Sequence, residues 1–330
     1  MRALRLLVAA ALALSAAPVS ASDFGSAALG TGGSLFLLLD TSARGVAMGG
    51  AMTAATNDSS SIYWNPAGLS QVPRLSTSFM FADYVAGITY QAASYAQRVN
   101  DTSVFGAGVR YLDGGSVPQT NISGIGEGTF TPYSYVAELG WGQSIYDLSD
   151  SGMDLSMGVT ARAIHTSLGT NSATGFGGDW GIQSRFYATS MTYDIGLAIQ
   201  NLGSGEKFDQ VRDSMPARVR FGGAVKLVPP LTLSLEGIAP INNVPAAAFG
   251  VEYALQIERG IKASARAGLN SQNYDSLGLA SIVSFGVGLA LSNFSFDYAF
   301  VPEGVLGVAA HRLSLSYNLP AKLSSRYRDR

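Results

Sequence analysis

Along most of the chain, apolar and polar positions alternate one by one. From Met153 to Ala163 the odd positions are Met153, Leu155, Met157, Val159, Ala161 and Ala163, and the even ones are Asp154, Ser156, Gly158, Thr160 and Arg162. Leu313, Leu315, Tyr317 and Leu319 alternate with Arg312, Ser314, Ser316 and Asn318. Val219, Phe221, Gly223 and Val225 alternate with Arg218, Arg220, Gly222 and Lys226. Phe294, Phe296, Tyr298 and Phe300 share one parity, with Asp297 on the other. A strand sends successive side chains to opposite faces, so a period of two predicts strands with one apolar and one polar face.

Fourteen such segments can be traced: 75–83, 87–98, 102–112, 133–144, 153–166, 176–187, 190–202, 216–227, 231–238, 247–255, 261–269, 281–291, 293–301 and 311–319. Most approach the roughly 9–11 residues with which a tilted strand crosses a bilayer. The even count is that of single-chain bacterial outer-membrane barrels. Gaps after even-numbered segments are mostly short (99–101, 188–189, 228–230, 256–260 and Ser292), with 145–152 the longest of that set. Gaps after odd-numbered segments are mostly longer: 113–132, 167–175, 203–215, 239–246, 270–280 and 302–310, with 84–86 the exception. Short periplasmic turns alternating with longer outer loops are the pattern of a membrane barrel, and they place both termini on the periplasmic side.

Composition sharpens this picture. Of the 330 residues, 47 % are hydrophobic and only 13 % charged, against about 25 % charged in ordinary globular domains. A spanning helix needs about 20 mainly apolar residues. Beyond the first 21 residues the longest uninterrupted apolar run is Leu35 to Leu39. The apolar surface is therefore expected on the outside of a barrel. A soluble sandwich or barrel would turn it inward and need a charged exterior, which this chain is too poor in charge to supply.

Charges concentrate on the inferred lumen face. The basic ones are Arg110, Arg162, Arg185, Arg218, Arg220, Lys226, Lys262, Arg266 and Arg312; the acidic ones are Glu138, Asp154, Asp194, Glu236, Glu252 and Asp297. An Arg or Lys facing lipid at mid-depth costs about 2–4 kcal/mol, which inward placement removes. Mixed signs favour structural pairing against a plug over a charged permeation path. Tyr84, Tyr90, Tyr95, Tyr111, Tyr133, Tyr135, Trp141, Tyr187, Tyr298 and Tyr317 fall near strand ends, where aromatic girdles are expected.

Little in the chain points to chemistry. The formal charge of −2 argues against nucleic acid as a partner, and the lack of Cys excludes thiol-ligated metal. The two histidines, His165 and His311, cannot make a three-His zinc site, and no nucleophile elbow, phosphate loop or H-E-x-x-H run is present. Asp147 to Gly152 resembles the start of a calcium loop, but position 158, where the closing Glu belongs, is Gly; it reads as a turn. No enzyme activity and no cofactor are expected.

The N-terminus carries its own signals. Arg2 and Arg5, the apolar run Leu6 to Leu14 and the small-residue site Val19-Ser20-Ala21 predict a secretory signal peptide over 1–21. Residues 22–70 are rich in Gly and Ala and precede the first strand, as an inserted plug would; a barrel of about fourteen strands encloses more space than wall side chains fill. The remainder divides into a barrel, 71–319, and a basic periplasmic tail, 320–330, with Lys322, Arg326, Arg328 and Arg330.

The motifs Ser42-Ala43-Arg44-Gly45-Val46-Ala47-Met48-Gly49-Gly50-Ala51, Asn57-Asp58 and Tyr63-Trp64-Asn65-Pro66-Ala67-Gly68-Leu69 resemble the N-terminal signature of the PorV/PorQ family of outer-membrane barrels. Weaker likenesses are Asp194-Ile195-Gly196-Leu197, Asn201-Leu202-Gly203, Pro216 to Gly222, Asp297-Tyr298-Ala299-Phe300 and His311 to Ser316. The Asn65-Pro66-Ala67-Gly68 core is similar to that of the FadL family of long-chain fatty-acid transporters. The resemblance implies an all-β, FadL-like transmembrane antiparallel barrel of about fourteen strands in the bacterial outer membrane. It implies an N-terminal hatch carrying Arg44, Gly49, Gly50, Asn57, Asp58, Trp64, Asn65, Pro66, Ala67 and Gly68. The lumen charges set against it are Arg162, Arg218, Arg220, Glu236, Glu252, Arg266, Asp297 and Arg312. Beyond outer-membrane lipid, the partners implied are secretion-system subunits or secreted clients of a type IX-like machine; the alternative is hatch-gated transport of hydrophobic small molecules, fatty acids or aromatic compounds. Two features depart from the FadL pattern: the longest gap, 113–132, is rich in Gly, Ser and Thr, and the last strand is followed by the basic tail.

Overall fold

The computed structural model describes residues 32–148, 152–188, 191–228 and 230–320. The expected signal peptide 1–21, the first part of the expected plug at 22–31, residues 149–151 of the calcium-like turn and the tail beyond Pro320 lie outside the described residues.

Fourteen strands form one antiparallel closed barrel. They are β1 (Leu75–Asp83), β2 (Thr89–Arg98), β3 (Ser103–Asp113), β4 (Tyr133–Leu148), β5 (Met153–Leu168), β6 (Asn171–Tyr187) and β7 (Thr192–Ser204), followed by β8 (Arg218–Val228), β9 (Leu231–Pro240), β10 (Ala246–Glu258), β11 (Ile261–Asn270), β12 (Val283–Leu291), β13 (Phe294–Pro302) and β14 (Ala309–Leu319). Each pairs with its neighbour in sequence, and β1 closes on β14 in a register running from Leu75↔Leu319 to Asp83↔His311. Closure leaves no unpaired sheet edge, the condition for a sheet to stand in lipid. Among the described residues no helix is long and apolar enough to cross a membrane.

The alternation seen in sequence becomes inside and outside. Phe79, Phe81, Val109, Leu139, Val159, Phe221, Leu235, Val287 and Leu313 are exposed on the outer face, while Arg110, Glu138, Arg162, Arg220 and Glu236 are buried within. Two of the expected girdle tyrosines are exceptions. Tyr90 is fully buried, its hydroxyl donating to the Leu39 carbonyl at 3.3 Å, and the Tyr84 hydroxyl accepts from Arg312 at 3.0 Å. Both take the inward side because a lumen carbonyl or guanidinium offers the phenol a partner that lipid lacks.

Turns at one end, which also holds both strand termini, are short: 99–102, 188–191, 229–230, 259–260 and 292–293. At the other end the connections include 114–132, 205–217 and 271–282. The expected loop 167–175 is an error: β5 and β6 run on to a hairpin at Gly169-Thr170, with Leu168 facing Asn171 and Gly169 at φ +72°. The Thr, Ser, Gly and Asn residues there read as loop, but main-chain pairing beyond the lipid does not require apolar side chains. By the same reasoning β4 extends to Leu148, beyond the expected Ser144. The 114–132 connection contains a ribbon pairing Val117–Thr120 with Gly126–Phe130.

The N-terminal segment occupies the lumen. It comprises a 3₁₀ turn (Leu35–Leu38), α1 (Ala43–Ala47), α2 (Ser61–Trp64) and a second 3₁₀ turn (Pro66–Gln71). Ser42 caps α1 by accepting from the Gly45 amide at 3.2 Å. Asn65 caps the second turn by accepting from the Ala67 amide at 3.1 Å, and Pro66 takes the first position, where no amide hydrogen is needed.

Candidate functional site

The segment is seated by close backbone approach. Trp64 is fully buried, edge-on to Tyr63 at 4.8 Å, and its indole N–H donates to Ser42 Oγ at 3.4 Å. Gly45 lies so near the indole that a Cβ there would overlap it. Gly49 and Gly50 have φ of +65° and +77°, a backbone region where glycine pays no steric penalty. Asn65 Nδ2 donates to the Thr53 carbonyl at 2.8 Å and to the wall carbonyl of Ile182 at 3.1 Å.

The wall meets this backbone with glycines. A Cβ on Gly158 would strike Pro66, on Gly181 Asn65, on Gly196 Thr53, on Gly250 Met48, on Gly268 Gly49 and on Gly286 Ala47. Sequence reasoning placed the segment's glycines in the hatch but gave none of these a seating role, although Gly158 and Gly196 stood in its strand patterns. The available signal was glycine at the inward parity of β5, β6, β7, β10, β11 and β12.

Ion pairs surround the seat. Glu138 stands between Arg110, at 2.7 Å, and Arg162, at 3.1 Å; Arg162 also pairs with Asp179. Arg220 pairs with Glu236 and donates through Nη2 to the Gly50 carbonyl at 2.6 Å, while the other Glu236 oxygen accepts from the Thr53 amide at 2.8 Å. Arg218 donates to Gln200 at 2.8 Å and to the Tyr63 hydroxyl at 3.1 Å. Arg110 and Arg218 lie over the Tyr63 ring at 5.4 and 5.9 Å, and Arg220 over Trp64 at 5.2 Å. Asp179, Gln183 and Gln200, which the sequence pattern did not single out, take part: Gln183 bonds the Ala54 carbonyl, and Gln200 the carbonyls of Tyr63 and Trp64.

Two cavities flank α1. The one toward the short-turn end, about 380 Å³, brings together Arg44, Asn57, Asp58, Glu252, Arg266 and Asp297. Glu252 accepts from Arg44 at 2.9 Å and from Arg266 at 2.6 Å, and Arg266 reaches Asp297 at 2.6 Å. The Glu252 carboxylate beside Arg44 holds that guanidinium firmly in its charged form. The cavity toward the long-loop end, about 230 Å³, is lined by Leu38, Leu39, Val46, Ile282, Val283 and Val301 together with Asp40, Glu303 and Arg312. Burial raises the pKa of both Asp40 and Glu303. Arg44 faces the first cavity, whereas Val46 and Gly49 face the second, so α1 and the turn after it form the partition. Above the second cavity, the 271–282 and 303–308 connections expose Leu279 and Val305, each 74 % accessible, beside Tyr274, Leu306 and Val308.

The sequence-derived residues thus divide three ways. Arg44, Asn57, Asp58, Glu252, Arg266 and Asp297 share the first cavity. Gly49, Gly50, Trp64, Asn65, Pro66, Ala67, Gly68, Arg162, Arg218, Arg220 and Glu236 belong to the buried seat and its ion pairs, Gly49 also touching the second cavity. Arg312 stands apart at the long-loop end.

No protein-family model matches the chain, and no curated protein does. Solved structures do. The toluene transporter TodX of Pseudomonas putida aligns over 84 % of this chain and 98 % of its own, at 14 % identity and a TM-score of 0.55. The toluene transporter TbuX of Ralstonia pickettii aligns over 85 % and 99 %, at 13 % identity and a TM-score of 0.53. At this identity the likeness is one of fold: a closed antiparallel barrel, here of fourteen strands.

Proposed function

We propose that the protein transports hydrophobic small molecules across the bacterial outer membrane, with residues 22–70 as its hatch. The observation that carries this reading is a partly apolar cavity that ends on α1 and is lined by Ser281, Ile282 and Glu303 of two connections that also expose Leu279, Val305 and Leu306. Apolar molecules partition from water onto such a surface, and the cavity offers the next apolar contact inward. The solved neighbours named toluene transporters support the same assignment. In this reading residues 1–21 direct export, both termini are periplasmic, and the long-loop end faces outward. Passage requires α1 to move off the glycine-lined wall, and the Arg44–Glu252 pair is the contact that must yield. Uptake of monoaromatic compounds and long-chain fatty acids by a deletion strain tests the proposal; uptake equal to that of the parent overturns it.

The reading as an anchor for secreted clients of a type IX-like machine rests on the PorV/PorQ resemblance. The β5–β6 pair, whose 16- and 17-residue strands end in a two-residue hairpin at Gly169-Thr170 rather than a long loop and so offer a protein partner a sheet surface, favours it. Co-purification distinguishes it: recovery of neither secretion subunits nor secreted clients with the barrel sinks this second reading.

A further inference from the structure

Arg312 is only 7 % exposed, yet its hydrogen-bonding capacity is mostly unused. Its Nη2 donates to the Tyr84 hydroxyl at 3.0 Å, and its guanidinium lies over the Tyr84 ring at 5.0 Å. Its Nε and Nη1 have no partner among the described residues, and neither does the buried hydroxyl of Ser284. Arg312 and Ser284 line the same long-loop-end cavity. Buried donors are nearly always satisfied, and a buried guanidinium left with unpaired N–H groups is costly. Arg110 and Arg162 of the same lumen each leave only Nε without a hydrogen bond, and Arg220 reaches both Glu236 and a main-chain carbonyl; Arg312 leaves two groups.

The other charges lining the cavity narrow what could satisfy Arg312. Asp40 and Glu303 are both there, and Arg312 is the only cation among the described lining residues. An incoming carboxylate would meet two acidic groups for one basic one. A pure hydrocarbon would fill the apolar side, against Leu38, Leu39, Ile282 and Val301, but leave the Arg312 donors unpaired. A neutral molecule with an apolar body and one acceptor oxygen meets both demands.

We infer that this cavity is a binding site for neutral, mainly apolar molecules bearing one hydrogen-bond-accepting oxygen, such as aromatic ketones, aldehydes or esters, with Arg312 as the donor that selects them. The inference rests on the transport reading and narrows its substrate class. It makes Arg312 a specificity residue.

The test is calorimetric titration of the full-length protein in detergent with acetophenone, ethylbenzene and benzoate, which share a ring and differ in the acceptor and the charge. Acetophenone is expected to bind roughly tenfold or more tighter than ethylbenzene, the effect of one hydrogen bond to a charged donor, and tighter than benzoate. Arg312→Met, confirmed as a folded barrel by its heat-dependent gel mobility, should bring acetophenone down to the ethylbenzene level while leaving ethylbenzene bound. Ser284→Ala, which keeps the Arg312–Tyr84 stack, should weaken acetophenone severalfold and serves if Arg312→Met does not form the barrel. Equal binding of acetophenone and ethylbenzene to the unaltered protein, or tighter binding of benzoate, overturns the inference and leaves the transport reading standing. Binding of none of the three overturns both.

Discussion

Glu138 and Glu252 are each held between two arginines, and the two sites behave differently because of where the arginines come from. Glu138 joins Arg110 and Arg162, both on the wall, with all three side chains 1 % exposed. Glu252 joins Arg266 on the wall to Arg44 on α1, and Arg44 is 22 % exposed. The first site stiffens one strand against the next around the seat. The second ties the seat's contents to the wall at a place solvent reaches. Leaving buried charges without a partner costs about 3–5 kcal/mol, whereas a wetted ion pair contributes about 1 kcal/mol or less. On the transport reading, a hatch held by the first kind of contact and released at the second would use both.

The sharpest way to break this contrast is Glu138→Ala, which removes a carboxylate from two buried guanidinium groups and leaves Arg110 with no anionic partner among the described residues. Stability in denaturant titrations should fall by about 3–5 kcal/mol. Trp64→Ala comes next: removing a fully buried indole should cost about 3 kcal/mol and loosen the segment, so conductance in planar bilayers rises; an unchanged conductance argues against a plugging role. Glu252→Gln keeps the shape but removes the charge that ties partly wetted Arg44 to the wall. It should cost less than Glu138→Ala, because Arg266 keeps Asp297, while increasing the frequency of open events in the same bilayers. The smallest effect concerns Asp40. Burial favours its neutral form, so its pKa in the folded barrel lies above the unfolded value and the folded state takes up the proton more readily. The resulting penalty is absent below the unfolded value, about pH 4, and grows as the pH rises from there toward the folded pKa. Asp40→Asn should therefore raise the melting temperature at pH 7, and the gain should shrink as the pH is lowered toward about 4.

Much of the wall was legible in the sequence. The period of two in β5, β8 and β14 survives intact because lipid outside and polar lumen inside impose it at every position. The strand ends were not: Thr166 to Asn171 are mostly small or polar residues that read as loop, so little in the sequence marks the two residues where β5 turns into β6. The segment's motif stood out because Trp64, Asn65 and Pro66 are large, capping and rigid residues in a run of small ones. Its counterpart on the wall did not. Gly158, Gly181 and Gly268 matter for what they omit, and an omission becomes readable only once the element that fills it is seen. Asp179 was missed for a related reason, standing among Gly177, Gly178 and Gly181, where the alternation is thin.

The closure of β1 on β14 also dictates an order of assembly. The segment is synthesised ahead of every strand, yet α1 packs against β11, β12, β13 and β14, the last four to be made. The opposite side of its seat, at Gly158, Gly181 and Gly196, belongs to strands from the middle of the chain. The full set of wall contacts around the segment therefore exists only once the last hairpin is in place, so its seating and the closing of the seam depend on the same strands.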